Sequence, residues 1–391
     1  MINAALSSLL PDDAADALLV GRVWCTAEEG PVPVAVIDSV LYDISALAPT
    51  VSRLFELPDL ANRIRAFGGN RLGAVTEILD GLSWESNNRR GLKLLSPIDL
   101  QCIKACGVTF VASVMERVVE EQAAGDLHAA ERIRASLTAT FGNSLAKIRP
   151  GSPEAAELKQ KLIAKGLWSQ YLEVAIGPDA ELFTKAPTLS SVGWGDQVGI
   201  RRDSAWNNPE PEIVLLVNSK AEVVGATLGN DVNLRDFEGR SALLLGKGKD
   251  NNASASIGPL VRIFDDRFDM SSLRKARISL QVKGRDGFEF RAQSSMELIT
   301  RDPLDLVSQT CGSNHQYPDG FALFLGSPIA PTQDRSEHGK GFTHSPGDLV
   351  TVASAQFGSL VNQVTWSDEA PPWQFGISAL MSNLAKRGLL N

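Results

Sequence analysis

The sequence predicts an α+β, β-rich protein, and three observations carry that reading. After Glu212 an apolar, β-branched run, Ile213-Val214-Leu215-Leu216-Val217, reads as a strand. From Ala276 to Val282 apolar and polar residues alternate with period two, and Gly284-Arg285-Asp286-Gly287 then turns the chain into Phe288-Glu289-Phe290. Between Met115 and Gln170 the pattern is largely helical, broken at Gly125, Gly142 and Gly151. Pattern alone supports "mixed, β-rich" and nothing finer.

The chain has 391 residues, enough for two domains. The expected division is a smaller N-terminal α+β domain over residues 1–94 and a larger domain over 95–391, with a helical insertion at about 115–175. A net charge of -8 argues against nucleic-acid binding through bulk electrostatics, although it leaves room for a local basic pocket. No apolar run approaches the length of a membrane span, and Met1-Ile2-Asn3-Ala4-Ala5-Leu6 lacks the charged start of a signal peptide. The expected setting is the cytoplasm, with neither membrane nor nucleic acid as a partner. Cys25, Cys102, Cys106 and Cys311 form no CxxC pair and read as buried, reduced thiols rather than zinc ligands.

In order, Asp12 to Val23 ends in a short strand, and Gly30–Ile37 and Val40–Ser45 are two more. Ala48-Pro49-Thr50-Val51-Ser52 caps a helix running into Leu57. Leu60 to Leu79 has helical spacing interrupted by Gly68-Gly69. This region shows no convergent polar chemistry and reads as a packing or oligomerisation module. Leu94-Leu95-Ser96-Pro97-Ile98 opens the second domain. Within the insertion, Ala130–Phe141 and Pro153–Tyr171 are expected helices, the latter with Pro near its first position. Farther on, a helix begins at Pro303, and Asp319–Leu325 and Leu349–Val352 are strands.

Candidate chemistry gathers between Asn207 and Pro259. In Pro209-Glu210-Pro211-Glu212 the two glutamates project from one strand face, and two carboxylates that close repel unless a proton or cation lies between them. The alternating prolines place them at an edge or at the start of a strand. Asp231 lies about one hairpin later, positioned to return to the same end. Three oxygen ligands without nearby His or Cys suit a hard cation, Mg²⁺ before Mn²⁺ or Ca²⁺. The bland alternative is a solvated acidic edge. Arg201 and Arg202 would suit a substrate carboxylate. His128, His315, His338 and His344 form no ligand pair, and His338 and His344 are expected on a mobile surface loop.

Taken together, Glu-x-Glu, Gly229-Asn230-Asp231-Val232 with Arg235-Asp236, and Lys249 nine residues before Gly258-Pro259 resemble the catalytic domain of the fumarylacetoacetate hydrolase superfamily. Pro-Glu-Pro-Glu with Ser256-Ile257-Gly258-Pro259 looks like its 2-keto-3-deoxy-aldonate dehydratase branch. The resemblance runs from about Leu94 to Trp366, leaving the helical insertion unmatched. It implies a catalytic β-roll, Mg²⁺ bound by Glu210, Glu212 and Asp231, and Lys249 in the substrate pocket. Leu182-Phe183-Thr184-Lys185-Ala186-Pro187 resembles a Phe-x-Lys-x-Pro element, which would turn Lys185 toward the pocket. Gly326-Ser327-Pro328 corresponds to a Gly-Thr-Pro turn at the pocket floor, where Ser327 would meet a carboxylate.

One departure is informative. The family's Asn-Tyr-x-x-His-x-x-Glu aligns with Thr109–Glu116, so Glu116 is kept and the histidine is Ser113. In the hydrolases that histidine activates water, and a lone serine cannot act as a general base near pH 7. The resemblance therefore implies dehydration of a 2-keto-3-deoxy-pentonate (xylonate or arabinonate) to 2-oxoglutarate semialdehyde, through an enolate and loss of the C4 hydroxyl. Lys249 is the first candidate for proton transfer or for steadying the enolate, its pKa expected to fall beside a cation, and Glu116 is the candidate for the second proton-transfer role. The substrate would meet Ser113, Lys185 and Ser327. Alternatives are a hydrolase of 2,4-diketo acids and a non-catalytic sugar-acid binding protein. Family members are commonly homodimers or homotetramers.

Overall fold

The computed structural model describes residues 9–80, 92–123, 132–133, 148–335 and 341–390. Strands β1 (Leu19–Cys25), β2 (Gly30–Ile37) and β3 (Val40–Asp43) form the expected antiparallel run. Thr50 caps helix α1 (Val51–Phe55) by accepting the Arg53 N–H at 3.2 Å. Helix α2 (Leu60–Ala66) stops before Gly68-Gly69, and the stretch expected to stay helical becomes strand β4 (Asn70–Ala74) before α3 (Val75–Asp80). The reason is the close approach of two backbones. A Cβ at Gly69 would lie 2.3 Å from the Asp43 carbonyl oxygen, so glycine lets β4 pair with β3.

Strands β5 (Lys93–Leu94), β6 (Cys102–Cys106), β7 (Leu182–Ala186), β8 (Gln197–Ile200) and β9 (Asn207–Asn208) come next. They are followed by β10 (Pro211–Val217), β11 (Val223–Asp231), β12 (Asn233–Leu234), β13 (Ala255–Ile263), β14 (Arg277–Lys283) and β15 (Glu289–Ser295). The last are β16 (Phe321–Phe324), β17 (Leu349–Ser354) and β18 (Gly358–Trp366). An 11-stranded sheet runs β4-β3-β2-β1-β13-β11-β10-β16-β6-β7 with β5 on β1. A 5-stranded sheet runs β15-β14-β17-β18-β8, and β9 pairs with β12. The division expected at residue 94 falls at β5, and the strands on its two sides share the larger sheet, with Leu19 opposite Arg262.

β10 shows why the apolar run is unbroken. Ile213, Leu215 and Val217 join the core cluster on one sheet face, while Val214 and Leu216 join the cluster on the other. A strand covered on both faces has no solvent side on which to place polar residues. Each such aliphatic chain contributes roughly 1.5–3 kcal/mol by burial.

Helices α4 (Val111–Ala123), α5 (Pro153–Ala164) and α6 (Gln170–Ile176) share a third cluster built on Val114, Val118, Leu162 and Leu172. The helix expected over 130–141 lies, apart from residues 132 and 133, outside the described residues. The single helix expected from Pro153 to Tyr171 is two. Gly166 at φ +66° ends the first, with the Leu167 N–H donating to Leu162 at 2.9 Å, and Ser169 caps the second. Short helices α7 (Arg235–Arg240) and α8 (Leu245–Lys249) follow β12, α9 (Pro303–Thr310) precedes β16, and α10 (Ile377–Lys386) packs on β2. Among the described residues no helix is long and apolar enough to cross a membrane.

Candidate active site

The β10–β11 hairpin assembles the acidic cluster. Glu212 lies opposite Gly229, Pro211 opposite Asn230, and the Asp231 N–H donates to the Glu210 carbonyl at 2.9 Å. The side chains of Glu210, Glu212 and Asp231 thereby meet, one carboxylate oxygen of each lying within 4.8 Å of the others. The solvated-edge alternative does not describe this place. β10 is interior, between β11 and β16, and Glu212 and Asp231 are each 1% exposed.

Charge explains what this geometry can hold. Burial, then Asp231 and Glu210, push the Glu212 carboxyl well above its usual range. Burial also raises Asp231, against the pull of Lys185 and Lys249. Glu210 goes the other way, because Lys249 and Arg117 outweigh its burial. A buried set of hard oxygen donors with mutually repelling carboxylates fits a small divalent cation, whose charge would relieve that repulsion.

A cavity of about 100 Å³ opens beside the cluster, lined among others by Ser113, Arg117, Glu181, Glu238, Lys249 and Ser327. Glu210 and Glu212 form part of its wall. The Lys249 ammonium is held by Glu210, by Asp231 at 3.1 Å and by Glu238 at 3.4 Å. Burial favours a neutral amine there, but Asp231, Glu210 and Glu238 outweigh it and raise the lysine well above its ordinary value. The lowering expected beside a bound cation is thus opposed, in the cation-free site, by three carboxylates that hold the proton on Lys249.

Ser113 and Ser327 come together on the cavity wall, the Ser113 hydroxyl donating to the Ser327 carbonyl. The turn before Ser327 also touches the acidic cluster, since the Gly326 N–H donates to Glu212 at 2.6 Å. Lys185 lies elsewhere. It is fully buried behind the cluster, 2.8 Å from Asp231, and does not line the cavity. Glu116 is not among the lining residues either, whereas its neighbour Arg117 is.

Sequence reading did not single out Arg117, Glu181 or Glu238. Arg117 lies one helical turn after Ser113 on α4 and reaches both Glu210, at 3.1 Å, and Glu238, at 2.5 Å. Glu238, on α7, follows Asp231 by seven residues. Glu181 immediately precedes β7, and burial, then Glu238, raise its carboxyl to about 7. A Cβ at Gly107 would lie 1.9 Å from a Glu181 carboxylate oxygen, a proximity that only the folded chain reveals. Cys106 also lines the cavity, but burial, then Glu212 and Glu181, push its thiol well up and leave it a poor nucleophile.

The remaining candidates fall outside. Arg201 pairs with Asp203 and Arg202 with Asp368, away from the cavity. His344, expected on the surface, is buried with Nδ1 3.3 Å from Asp348, because that carboxylate also anchors Arg335 at 2.6 Å and the Ser345 N–H. His315 is exposed and packs edge-on against Tyr317, while His128 and His338 lie outside the described residues. The cysteines are free thiols, Cys106 buried and the others half-buried.

The C-terminal domain profile of fumarylacetoacetate hydrolase matches residues 172–365. A probable 2-keto-3-deoxyxylonate dehydratase of Haloferax volcanii is 32% identical over 197 residues, 50% of this chain and 63% of the relative. A 2-dehydro-3-deoxy-D-arabinonate dehydratase of Saccharolobus solfataricus is 28% identical over 204 residues, 52% of this chain and 64% of the relative. The match thus spans less than two-thirds of either relative. Among solved structures, 2-keto-3-deoxy-D-arabinonate dehydratase complexed with magnesium and 2,5-dioxopentanoate shares the fold, with a TM-score of 0.61 at 18% identity over 89% of this chain and 99% of that one. Fumarylacetoacetate hydrolase from Exiguobacterium antarcticum gives 0.54 at 16% identity, over 90% and 100%. Residues 172–365 thus carry a fumarylacetoacetate hydrolase C-terminal domain, and the chain is similar to keto-deoxy-pentonate dehydratases.

Proposed function

We propose that the protein is a Mg²⁺-dependent dehydratase that converts a 2-keto-3-deoxy-pentonate of the xylonate or arabinonate type to 2-oxoglutarate semialdehyde. One observation carries the reading: the cavity beside the acidic cluster presents Ser113 and carboxylates, and no imidazole among its described lining residues. A serine in the place of the hydrolases' water-activating histidine cannot serve as that base, whereas elimination of a hydroxyl needs none for an attacking water. The relatives named as keto-deoxy-pentonate dehydratases, and the neighbour solved with magnesium and 2,5-dioxopentanoate, support the same class.

Glu210, Glu212 and Asp231 would hold the cation. Bound there, Mg²⁺ would supply a Lewis acid that polarises the 2-keto group and acidifies the C3 proton. The protein's own groups would do the rest. Lys249, protonated, would stabilise negative charge as it develops on the ketone oxygen. Glu181, raised to about 7, would take the C3 proton as a carboxylate and return it to the departing C4 hydroxyl as an acid. This would leave a 3-ene-5-hydroxy acid that becomes the semialdehyde by tautomerisation, C5 losing a proton, C3 regaining one and the enol ketonising. This role passes from Glu116, which does not line the cavity, to a carboxylate that does. Ser113 and Ser327 would orient the substrate's polar tail. Lys185 would hold Asp231 rather than touch substrate.

The test is turnover of EDTA-stripped protein with both pentonates, with and without Mg²⁺, followed by a dehydrogenase that oxidises the semialdehyde. Mg²⁺-dependent turnover lost in Glu212→Gln is expected. No turnover by protein that still binds Mg²⁺ overturns the proposal.

A further inference from the structure

Lys249 has three carboxylate neighbours, and two of them, Glu210 and Asp231, belong to the acidic cluster. Carboxylate oxygens that coordinate a divalent ion are poorer acceptors for an ammonium, since their charge is shared with a second cation. Glu238 is the partner outside the cluster. It is 6% exposed, its Oε1 has no hydrogen-bond donor among the described residues, and that oxygen faces Lys249 Nζ at 3.4 Å. Its other oxygen is taken by Arg117 at 2.5 Å.

Arg117 reaches the site from a different part of the fold. It stands on α4, which precedes the segment matching the family profile, while Glu238 stands on α7 within it. One guanidinium nitrogen, Nη2, lies within ion-pair distance of both Glu210 and Glu238, and the two side chains are 12% and 7% exposed in the Arg117–Glu238 pair. A planar guanidinium can bridge two carboxylates in a fixed geometry, which a lysine's single ammonium does not reproduce. One turn earlier on α4, Ser113 is bonded to the Ser327 carbonyl, so the cavity-facing side of α4 is fastened at two points.

We propose that Arg117 is a positioning residue: acting through Glu238, it fixes the Lys249 ammonium against the substrate's developing oxyanion. The proposal rests on the dehydratase reading for the identity of that oxyanion. It does not rest on it for the Arg117–Glu238–Lys249 chain. When the cation occupies the acidic cluster, Glu238 keeps the lysine in place, and Arg117 keeps Glu238 from turning toward the lysine alone or toward the cation.

The test uses the whole chain and a readout apart from turnover. Oxalate, a planar dianion that mimics the enolate of a 2-oxo acid, is titrated calorimetrically into Mg²⁺-loaded protein. Mg²⁺ is titrated separately into stripped protein. Arg117→Met and Glu238→Gln are each expected to weaken oxalate binding at least tenfold while changing Mg²⁺ affinity less than threefold. The double variant should be no worse than the poorer single, and Arg117→Lys should recover only part of the loss. If a variant does not fold, as judged by circular dichroism, Arg117→Lys and Glu238→Asp serve in its place with the same criteria.

Three outcomes overturn the proposal. One is unchanged oxalate binding in both variants, the second a loss of Mg²⁺ affinity equal to the loss of oxalate, and the third losses that multiply in the double variant. Failure of the wild type to turn over either pentonate, with the oxalate pattern intact, would remove the dehydratase reading and leave the positioning chain standing. Wild-type turnover with oxalate binding unchanged in both variants would do the reverse.

Discussion

Lys185 and Asp231 form an ion pair at 2.8 Å with side-chain exposures of 0% and 1%. The lysine is also fixed by the Lys249 and Val232 carbonyls, so its ammonium is built into the wall behind the acidic cluster. Removing one partner of such a pair strands a buried charge, at a cost of about 3–5 kcal/mol. Lys185→Met should therefore lower the melting temperature of EDTA-stripped protein sharply. Mg²⁺ should restore more stability to the variant than to the wild type, because it replaces the missing positive charge. Calorimetric melting with and without Mg²⁺ reads both effects, and an equal drop in the two conditions would count against this account.

Glu212 presents the opposite case. Burial and two neighbouring carboxylates raise its pKa, so in stripped protein its charge opposes folding. Glu212→Gln keeps an acceptor near the Gly326 N–H and removes that charge. The stripped variant should melt no lower than stripped wild type, while its Mg²⁺ affinity falls by about two orders of magnitude or more, as expected when a site is destabilised for function. Isothermal titration with Mg²⁺ beside a melting curve decides it. A variant that loses stability and keeps its metal would refute the assignment of this ligand.

What was legible in the sequence was local. Glu210 and Glu212 share a face because strand side chains repeat every second residue, and Asp231 returns to them because one hairpin joins their strands. The misses are tertiary. On a helix one residue turns the side chain by about 100°, so a match that places Ser113 on the wall still leaves Glu116 off it and Arg117 on it. Glu238 and Glu181 become neighbours of Lys249 only once α7, β7 and the hairpin are packed. Pairing of β1 with β13, Leu19 opposite Arg262, carries no signature in either segment alone. His344 looked like a loop residue because Asp348, its buried partner, lies in the same polar turn.

Asp348 gives a prediction at acid pH. Its burial would raise the carboxyl, but the hydrogen bonds from Arg335 and His344 outweigh this and hold it at about 2, below its ordinary 3.8. A depressed carboxylate contributes stability that is present above the unfolded value and lost as pH falls toward the folded one. The contribution is about 2 kcal/mol at neutral pH, lost between about pH 4 and 2. Acid unfolding followed by tryptophan fluorescence should show Asp348→Asn starting less stable at pH 6 and flatter across that window. Parallel curves for the two proteins would rule the account out.

Glu181 works with the opposite sign, and its effect belongs to stripped protein. Burial, then Glu238, raise it to about 7 from 4.5, against the pull of Arg117 and Lys249. A carboxyl raised on folding binds its proton more tightly in the native state, so stability falls as pH rises from about 4.5 to about 7 and then levels. Allowing for its partial exposure, the fall is about 2 kcal/mol. In EDTA, urea unfolding of the wild type should lose that much between pH 5 and 7.5, and Glu181→Gln should lose much less. The same variant, loaded with Mg²⁺, should lose at least 100-fold in kcat with a pentonate substrate, since the amide can neither take nor return the C3 proton. A flat wild-type urea profile would place the titrating proton elsewhere, and retained turnover would return the proton-transfer role to another group on the cavity wall.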